Sequence, residues 1–292
     1  MQEIVLDTPL GDIRGWRALR RFDNHAARQQ ANPAPPRVLA LHGWLDNAAS
    51  FVPLSQQFHG IDLVAIDLPG HGVSAHLPQA ADYSFAGTVN AVLDIADALG
   101  WDRFALLGHS MGAGIGSLVA AACPQRITRF VAIEALGALA EIPERTVERM
   151  RDAIAATRAL PGKRLRVFPD RDTAVRARMQ ANGLSEPVAR LLVERGLRAV
   201  EGGFTWSSDP RLTLPTMQRM TEAQIGNLVA GIVCPTRVIF ASPAQPYLPD
   251  ALRRERVSLL PHGTLVVLDG THHLHMEDPH VVAEAIGDFF QR

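Results

Sequence analysis

Residues Arg103-Phe-Ala-Leu-Leu-Gly-His-Ser-Met-Gly-Ala-Gly-Ile-Gly-Ser117 put an apolar run, a glycine-flanked serine and a stretch of small residues in direct succession. Phe104 to Leu107 suits a strand buried on both faces, and Met111 to Ala122, rich in Gly and Ala, suits a helix packed closely on a sheet. Between them Gly108-His109-Ser110-Met111-Gly112 has the G-x-S-x-G form of a nucleophile elbow. A serine at the tip of so sharp a strand-to-helix turn takes a strained backbone, and the residues two before and two after it must be almost free of side chain. Gly108 and Gly112 meet that demand. The cluster Gly112, Gly114, Gly116 does not fit the dinucleotide pattern G-x-G-x-x-G, whose third glycine would fall at Ser117.

The chain has 292 residues, long enough for one large α/β domain or a domain with an insertion. Its formal net charge of −1 leaves no electrostatic footprint for nucleic acid and no acidic tail. Lys163 is the only lysine, so the positive charge is carried by Arg; this reads as codon bias rather than function. Cys123 and Cys234 each precede a proline and have no Cys/His metal spacing near them, which predicts free thiols at element ends. No basic segment followed by an apolar one opens the chain, and no uncharged apolar run of 18 residues occurs. The expectation is a soluble, cytoplasmic protein without a membrane span.

In chain order, residues 2–6 and 12–18 predict an antiparallel hairpin around Thr8-Pro9-Leu10-Gly11, and a polar, Pro-rich connection follows from Asn24 to Pro36. Arg37–Leu41 predicts a strand ending in His42-Gly43-Trp44-Leu45-Asp46-Asn47, with a short helix around Ser50 to Phe58. Ile61–Ile66 predicts a second buried strand, running into Asp67-Leu-Pro-Gly-His-Gly-Val-Ser74. Val89, Val92, Leu93, Ala96 and Leu99 recur at helical spacing and stop at Gly100. After the elbow, Phe130–Ile133 predicts a strand ending at Glu134. This alternation predicts a mostly parallel sheet covered on both faces. From Leu136 to Gly231 the rhythm changes to Arg/Glu-rich helical stretches, Glu144 to Leu160, Asp172 to Gln180 and Pro187 to Val200, then a loop from Gly202 to Pro210: an inserted helical lid. Strands return at Thr236–Ala241 and Thr264–Asp269, before a last helix from Pro279.

Four features therefore stand together: His42-Gly43-Trp44, the Asp67 to Ser74 turn, the Ser110 elbow, and Gly270-Thr-His-His-Leu-His-Met-Glu-Asp-Pro279. With them the sequence resembles the α/β-hydrolase fold over essentially its whole length. His42-Gly-Trp-Leu-Asp-Asn-Ala-Ala-Ser-Phe51 and the segment from Gly202 to Leu212 are most similar to the serine hydrolase-like proteins of that superfamily. The resemblance implies an α/β-hydrolase core in 1–135 and 232–292, a helical cap in 136–231, and a mostly parallel sheet of about eight strands with helices on both faces.

It also implies roles. Ser110 is the nucleophile, and an alcohol needs a base to take its proton during attack. The family pattern H-x-x-H-x-E assigns His272 to that base, with the adjacent His273 as alternative and His275 structural. The acid that orients the histidine commonly follows the strand equivalent to Thr236–Ala241, yet Ser242 to Pro249 carries no acid before Asp250. Some members place it after the strand that follows the elbow, where Glu134 stands. Glu134 and Asp250 are thus the two candidates, and an ion pair with a lid arginine is the structural alternative for Glu134. Backbone N–H groups of Trp44 and Met111 are the expected oxyanion donors, with Gly43 letting the chain turn. Trp44, Phe204, Trp206, Met217 and Met220 are candidate walls of a mostly apolar pocket. Asp46 and Asn47 are pocket or turn residues, and His71 is structural.

The expected activity is cofactor-independent cleavage of a carboxylic ester, on a small molecule with a mainly apolar acyl group, through a Ser-His-acid acyl-enzyme. No metal is expected, because no acidic or Cys group completes a site with His272, His273 and His275 by spacing. The same triad could serve a thioester, amide, lactone or C–C bond, and an inactive small-ligand binding module is the alternative from another class. An Asp nucleophile, usual in related dehalogenases and epoxide hydrolases, is absent, since Ser110 occupies its place.

Overall fold

The computed structural model describes residues 1–20, 34–162 and 166–292; most of the Pro-rich connection and Lys163 lie outside the described residues. The strands are β1 (Gln2–Thr8), β2 (Gly11–Arg20), β3 (Arg37–Leu41), β4 (Ile61–Ile66), β5 (Phe104–His109), β6 (Ile127–Ile133), β7 (Leu197–Val200), β8 (Gly203–Trp206), β9 (Thr236–Ser242) and β10 (Gly263–Asp269). Eight of them form one sheet in the order β1-β2-β4-β3-β5-β6-β9-β10. The β1–β2 hairpin is antiparallel and joins β4 antiparallel. From β4 to β10 every pairing is parallel.

The parallel strands are apolar throughout because both faces are covered. Along β3, Val38 and Ala40 point into one core with Phe51, Leu54, Val282 and Ile286, while Leu39 and Leu41 point into the other with Val92, Ile95, Ile115 and Val119. The covering helices are α1 (Val52–Ser55), α2 (Thr88–Ala98) and α3 (Met111–Ala122) before the insertion, and α8 (Asp250–Ser258), α9 (Leu274–Glu277) and α10 (Pro279–Ile286) after it.

The inserted segment carries α4 (Thr146–Ala159), α5 (Arg171–Asn182), α6 (Glu186–Gly196) and α7 (Glu222–Ala230). Helices α5 and α6 have their own small core, Phe168, Ala174, Val175, Val188, Leu192 and Val193, into which Met276 of the main body inserts. Helix α7 differs: Ile225 and Val229 are buried in the sheet's own core, so this last part of the insertion belongs to the layered body. The sequence reading also needs correction at 197–206. Helix α6 ends at Gly196, and Leu197–Val200 pairs antiparallel with Gly203–Trp206 around a Glu201-Gly202 turn. The Arg/Glu-rich composition had suggested helix, but the two-residue glycine turn between short β-prone runs decides for a hairpin.

Sequence order places the site. The chain goes from β3 outward to β4, then crosses back to β5 on the other side of β3. The carboxyl ends of β3 and β5 thus flank a topological switch point, where open parallel sheets leave a crevice. His42–Trp44 and Ser110 are the residues that follow these two ends.

Candidate active site

Three non-glycine residues have positive φ among the described residues: Leu45 (57°), Ser110 (51°) and Glu134 (62°). They follow β3, β5 and β6, and backbone strain of this kind, on the order of 1–3 kcal/mol each, persists only where the surroundings enforce it. At the elbow the enforcement is visible. A Cβ on Gly112 would lie 1.9 Å from the Leu41 carbonyl oxygen, and one on Gly108 2.5 Å from Ala113 Cα. Side-chain-free positions let α3 start against β3, with Ser110 as its N-cap residue.

Ser110 Oγ is 2.9 Å from His272 Nε2, and His272 Nδ1 is 2.9 Å from Glu134 Oε2. A carboxylate only accepts, so Nδ1 carries the imidazole proton and Nε2 presents its lone pair to the serine hydroxyl. Glu134 is buried, and its Oε1 accepts the Ala241 N–H at 2.5 Å. The side chain thus reaches from the end of β6 to the end of β9. Arg253, on α8 and only 2% exposed, donates from Nη1 to the Ala241 carbonyl (2.7 Å) and holds Nη2 3.7 Å from Glu134 Oε2. Its guanidinium lies over the Phe240 ring at 4.5 Å. The arginine beside Glu134 therefore comes from α8 rather than from the inserted segment. Asp250 stands apart: it opens α8, exposed, with Arg254 Nε 2.7 Å away.

Behind this chain lies a second, buried one. Asp46 Oδ2 accepts from His273 Nε2 at 3.2 Å and is 3.8 Å from His109 Nδ1, while Oδ1 takes a short hydrogen bond from Arg178 of α5. His109 Nε2 donates to the His272 carbonyl at 2.8 Å, and the His275 ring lies against His109 with centroids 4.0 Å apart and planes tilted by 33°. Burial disfavours ionised Asp46, but the His273 hydrogen bond and the Arg178 charge outweigh it and hold the carboxyl well below its usual range. Burial, aided by the neighbouring histidines, keeps His109 neutral and pushes His275 down to about 3. Ligand atoms of Asp46, His109 and His273 lie within 4.8 Å of one another, the only such trio among the described residues. Arg178 already neutralises the carboxylate and His273 already donates to it, so a dication there would add uncompensated buried charge.

The remaining motifs build the frame. His42 donates from Nδ1 to the Gly43 carbonyl (2.7 Å) and accepts the Leu68 N–H on Nε2 (3.0 Å); burial pushes it down to about 4. Asp67 accepts the N–H groups of Ala48 and Val73 and the Nε of Arg195. His71 is buried, with Nδ1 3.2 Å from the Pro69 carbonyl. Asn47 caps the turn before α1 and donates to the Leu192 carbonyl of α6. Glu277 accepts from the backbone and hydroxyl of Ser185 at the start of α6 (both 2.8 Å).

Trp44 is 54% exposed, with its indole N–H on the Leu212 carbonyl (2.8 Å). The backbone N–H groups of Trp44 and Met111 meet no acceptor among the described residues. Trp206 packs against Phe168 and lines a pocket of about 130 Å³ with Leu45, Asp46, Arg178, Leu192 and Pro210, a lining that includes neither Ser110 nor His272. Phe204 lies under the Arg171 guanidinium, Met217 is exposed, and Met220 packs on the sheet's core. A wider groove of about 740 Å³ between β2 and α1, lined by Met1, Trp16 and Val52, holds none of these groups. No helix among the described residues is long and apolar enough to cross a membrane.

Sequence reading did not single out Asp46 as the partner of His273, nor Arg253 and Arg178. Asp46 had a signal, since it sits two residues after Trp44 in the turn that follows β3. The two arginines lie among many on Arg-rich helices, with no spacing to distinguish them.

Known proteins resemble this chain over most of its length. A serine hydrolase-like protein of Danio rerio is 29% identical over 99% of this chain and 88% of its own length. One of Dictyostelium discoideum is 29% identical over 87% of this chain and 74% of its own. The crystal structure of a hypothetical protein from Pseudomonas aeruginosa PAO1 superposes with a TM-score of 0.90 at 36% identity, covering all of both chains. The family model described as alpha/beta hydrolase fold matches residues 36–279. With the sheet order, the switch-point crevice and the serine elbow already in place, the chain belongs to the alpha/beta hydrolase fold family.

Proposed function

We propose that the protein is a cofactor-independent serine hydrolase that cleaves a carboxylic ester by acyl transfer. The observation that carries this reading is the hydrogen-bonded chain Ser110 Oγ, His272, Glu134, with both heavy-atom separations at 2.9 Å. His272 Nε2 takes the hydroxyl proton as Ser110 Oγ attacks the ester carbonyl carbon. Glu134 holds the tautomer that leaves Nε2 free and stabilises the imidazolium that forms. The N–H groups of Trp44 and Met111 receive the negative charge that develops on the carbonyl oxygen, each worth roughly 3 kcal/mol in such sites. The imidazolium then gives its proton to the leaving alcohol. A water deprotonated by His272 attacks the acyl-serine, and the imidazolium returns that proton to Ser110 Oγ as the acid leaves, restoring both groups.

Carbonyl attack by Ser110 and proton donation by His272 serve esters, thioesters, amides and lactones alike, so the bond is assigned by comparing substrates. The acid missing after β9 favoured a binding module. Glu134, reaching Ala241 from β6, supplies a carboxylate at that end of the sheet and supports the enzymatic reading.

A fluorophosphonate probe should modify the folded protein at Ser110, and Ser110→Ala should abolish both labelling and hydrolysis of a p-nitrophenyl ester series. A folded wild-type protein that is neither labelled nor active on esters of any chain length would overturn the proposal. Faster turnover of acyl thioesters than of matched oxygen esters would move it to the other bond.

A further inference from the structure

We infer that Asp46 is a positioning residue that makes the geometry of the Ser110–His272 pair depend on the seating of the cap. The inference rests on the acyl-transfer reading for its meaning, though not for all of its tests. One carboxylate, 3% exposed, touches three separate parts of the site. Its Oδ1 is paired with Arg178 on cap helix α5. Its Oδ2 accepts from His273, the residue directly after His272, and faces Nδ1 of His109, the residue directly before Ser110. His109 in turn donates to the main-chain carbonyl of His272 at 2.8 Å. Asp46 itself is fixed to the oxyanion turn by its own N–H, on the Gly43 carbonyl at 3.1 Å. The fit is close, for a Cβ on Gly43 would lie 3.0 Å from both Asp46 Oδ2 and His109 Nδ1.

The charge accounts for the coupling. With the cap seated, Arg178 neutralises Asp46, and His109 stays neutral with its ring fixed between Asp46 and the His272 carbonyl. When α5 moves away, a buried carboxylate is left with the single imidazole donor of His273, because His109 spends its proton on the His272 carbonyl and turns a bare Nδ1 toward Asp46. An unpaired buried charge is costly, so it draws in a proton, water or the histidines themselves. Any of these shifts His273, and the peptide it shares with His272 shifts too. A displacement on the order of 1 Å at the base can cost about 100-fold in rate. The pair Ser110–His272 is therefore held in register only when the cap is closed over the crevice.

Asp46→Asn and Arg178→Gln test this. Each should lower kcat and the fluorophosphonate labelling rate by about 10- to 100-fold with KM little changed. The double variant should lose no more than the worse single, because both break one linkage. Arg178→Lys should recover part of the loss. The imidazole signals of His272 in 15N-histidine-labelled protein should move in both single variants at a temperature where each is fully folded. Those signals decide the claim even if the wild type proves inert to esters and fluorophosphonates, an outcome that would end the hydrolase reading alone. If Asp46→Asn does not fold, Arg178→Gln and its lysine variant carry the test. Unchanged His272 signals with unchanged labelling, or losses that multiply in the double variant, would overturn the inference.

Discussion

Ser110, His272 and Glu134 come from the ends of β5, β10 and β6, and their tie is two hydrogen bonds of 2.9 Å. Glu134→Gln isolates the acid's role. The Ala241 N–H would keep the amide oxygen, turning the amide NH2 toward His272 Nδ1. A donor there forces the imidazole proton onto Nε2, where it cannot accept from Ser110. The expected result is a fall in kcat of about 10³- to 10⁴-fold, as for the equivalent change in other triads, with the melting temperature nearly unchanged; Asp250→Asn should have no effect. A full-rate Glu134→Gln enzyme would disprove the role. At this scale the sequence was informative where sterics or a fixed spacing tie a residue to a turn, as at Gly108, Ser110 and Gly112. It was uninformative about Arg253, whose contact with Glu134 spans about two-fifths of the chain, and about the bond between Asp46 and His273, because nothing local encodes such meetings.

At the scale of elements, glycines of similar appearance carry different loads. Gly112 sits where α3 leaves the elbow, and an added Cβ would collide with the Leu41 main chain at 1.9 Å. Gly183 ends α5 at φ +64°, with nothing within 4 Å of an added Cβ. Gly112→Ala must push α3 off β3 and should cost at least about 3 kcal/mol, the upper end for overpacking. Gly183→Ala pays only for the left-handed backbone, about 1 kcal/mol. Urea titrations of the two variants would separate these, and equal losses would contradict the packing argument. The strands of the sheet were legible because a parallel strand covered on both faces is a short continuous apolar run. The β7–β8 hairpin was not, since Leu197-Arg-Ala-Val200 continues the composition of α6 and only the Glu201-Gly202 turn marks the change.

The whole molecule keeps several histidines out of water, and that sets its response to acid. Burial is the largest cause holding His42 down to about 4, and His71 and His275 down to about 3. In the unfolded chain each returns to about 6.5. Below that pH the unfolded state binds protons the folded state refuses, so stability is greatest above pH 6.5 and falls as pH drops toward 4. Each such histidine contributes a slope of up to about 1.4 kcal/mol per pH unit. The depressed carboxyl of Asp46 acts in the same direction but only below its unfolded value of 3.8, so the window between pH 6.5 and 4 belongs to the histidines. His275 offers the test, because neither ring nitrogen has a partner among the described residues and its ring lies between His109 and Phe51. His275→Phe keeps an aromatic ring against His109 and Phe51 and removes the titration. The variant should match or exceed wild-type stability at pH 7.5, and its advantage should grow as the pH is lowered to 5. Urea midpoints measured across that range would show it; parallel acid slopes for the two proteins would mean that His275 takes up its proton without unfolding the chain.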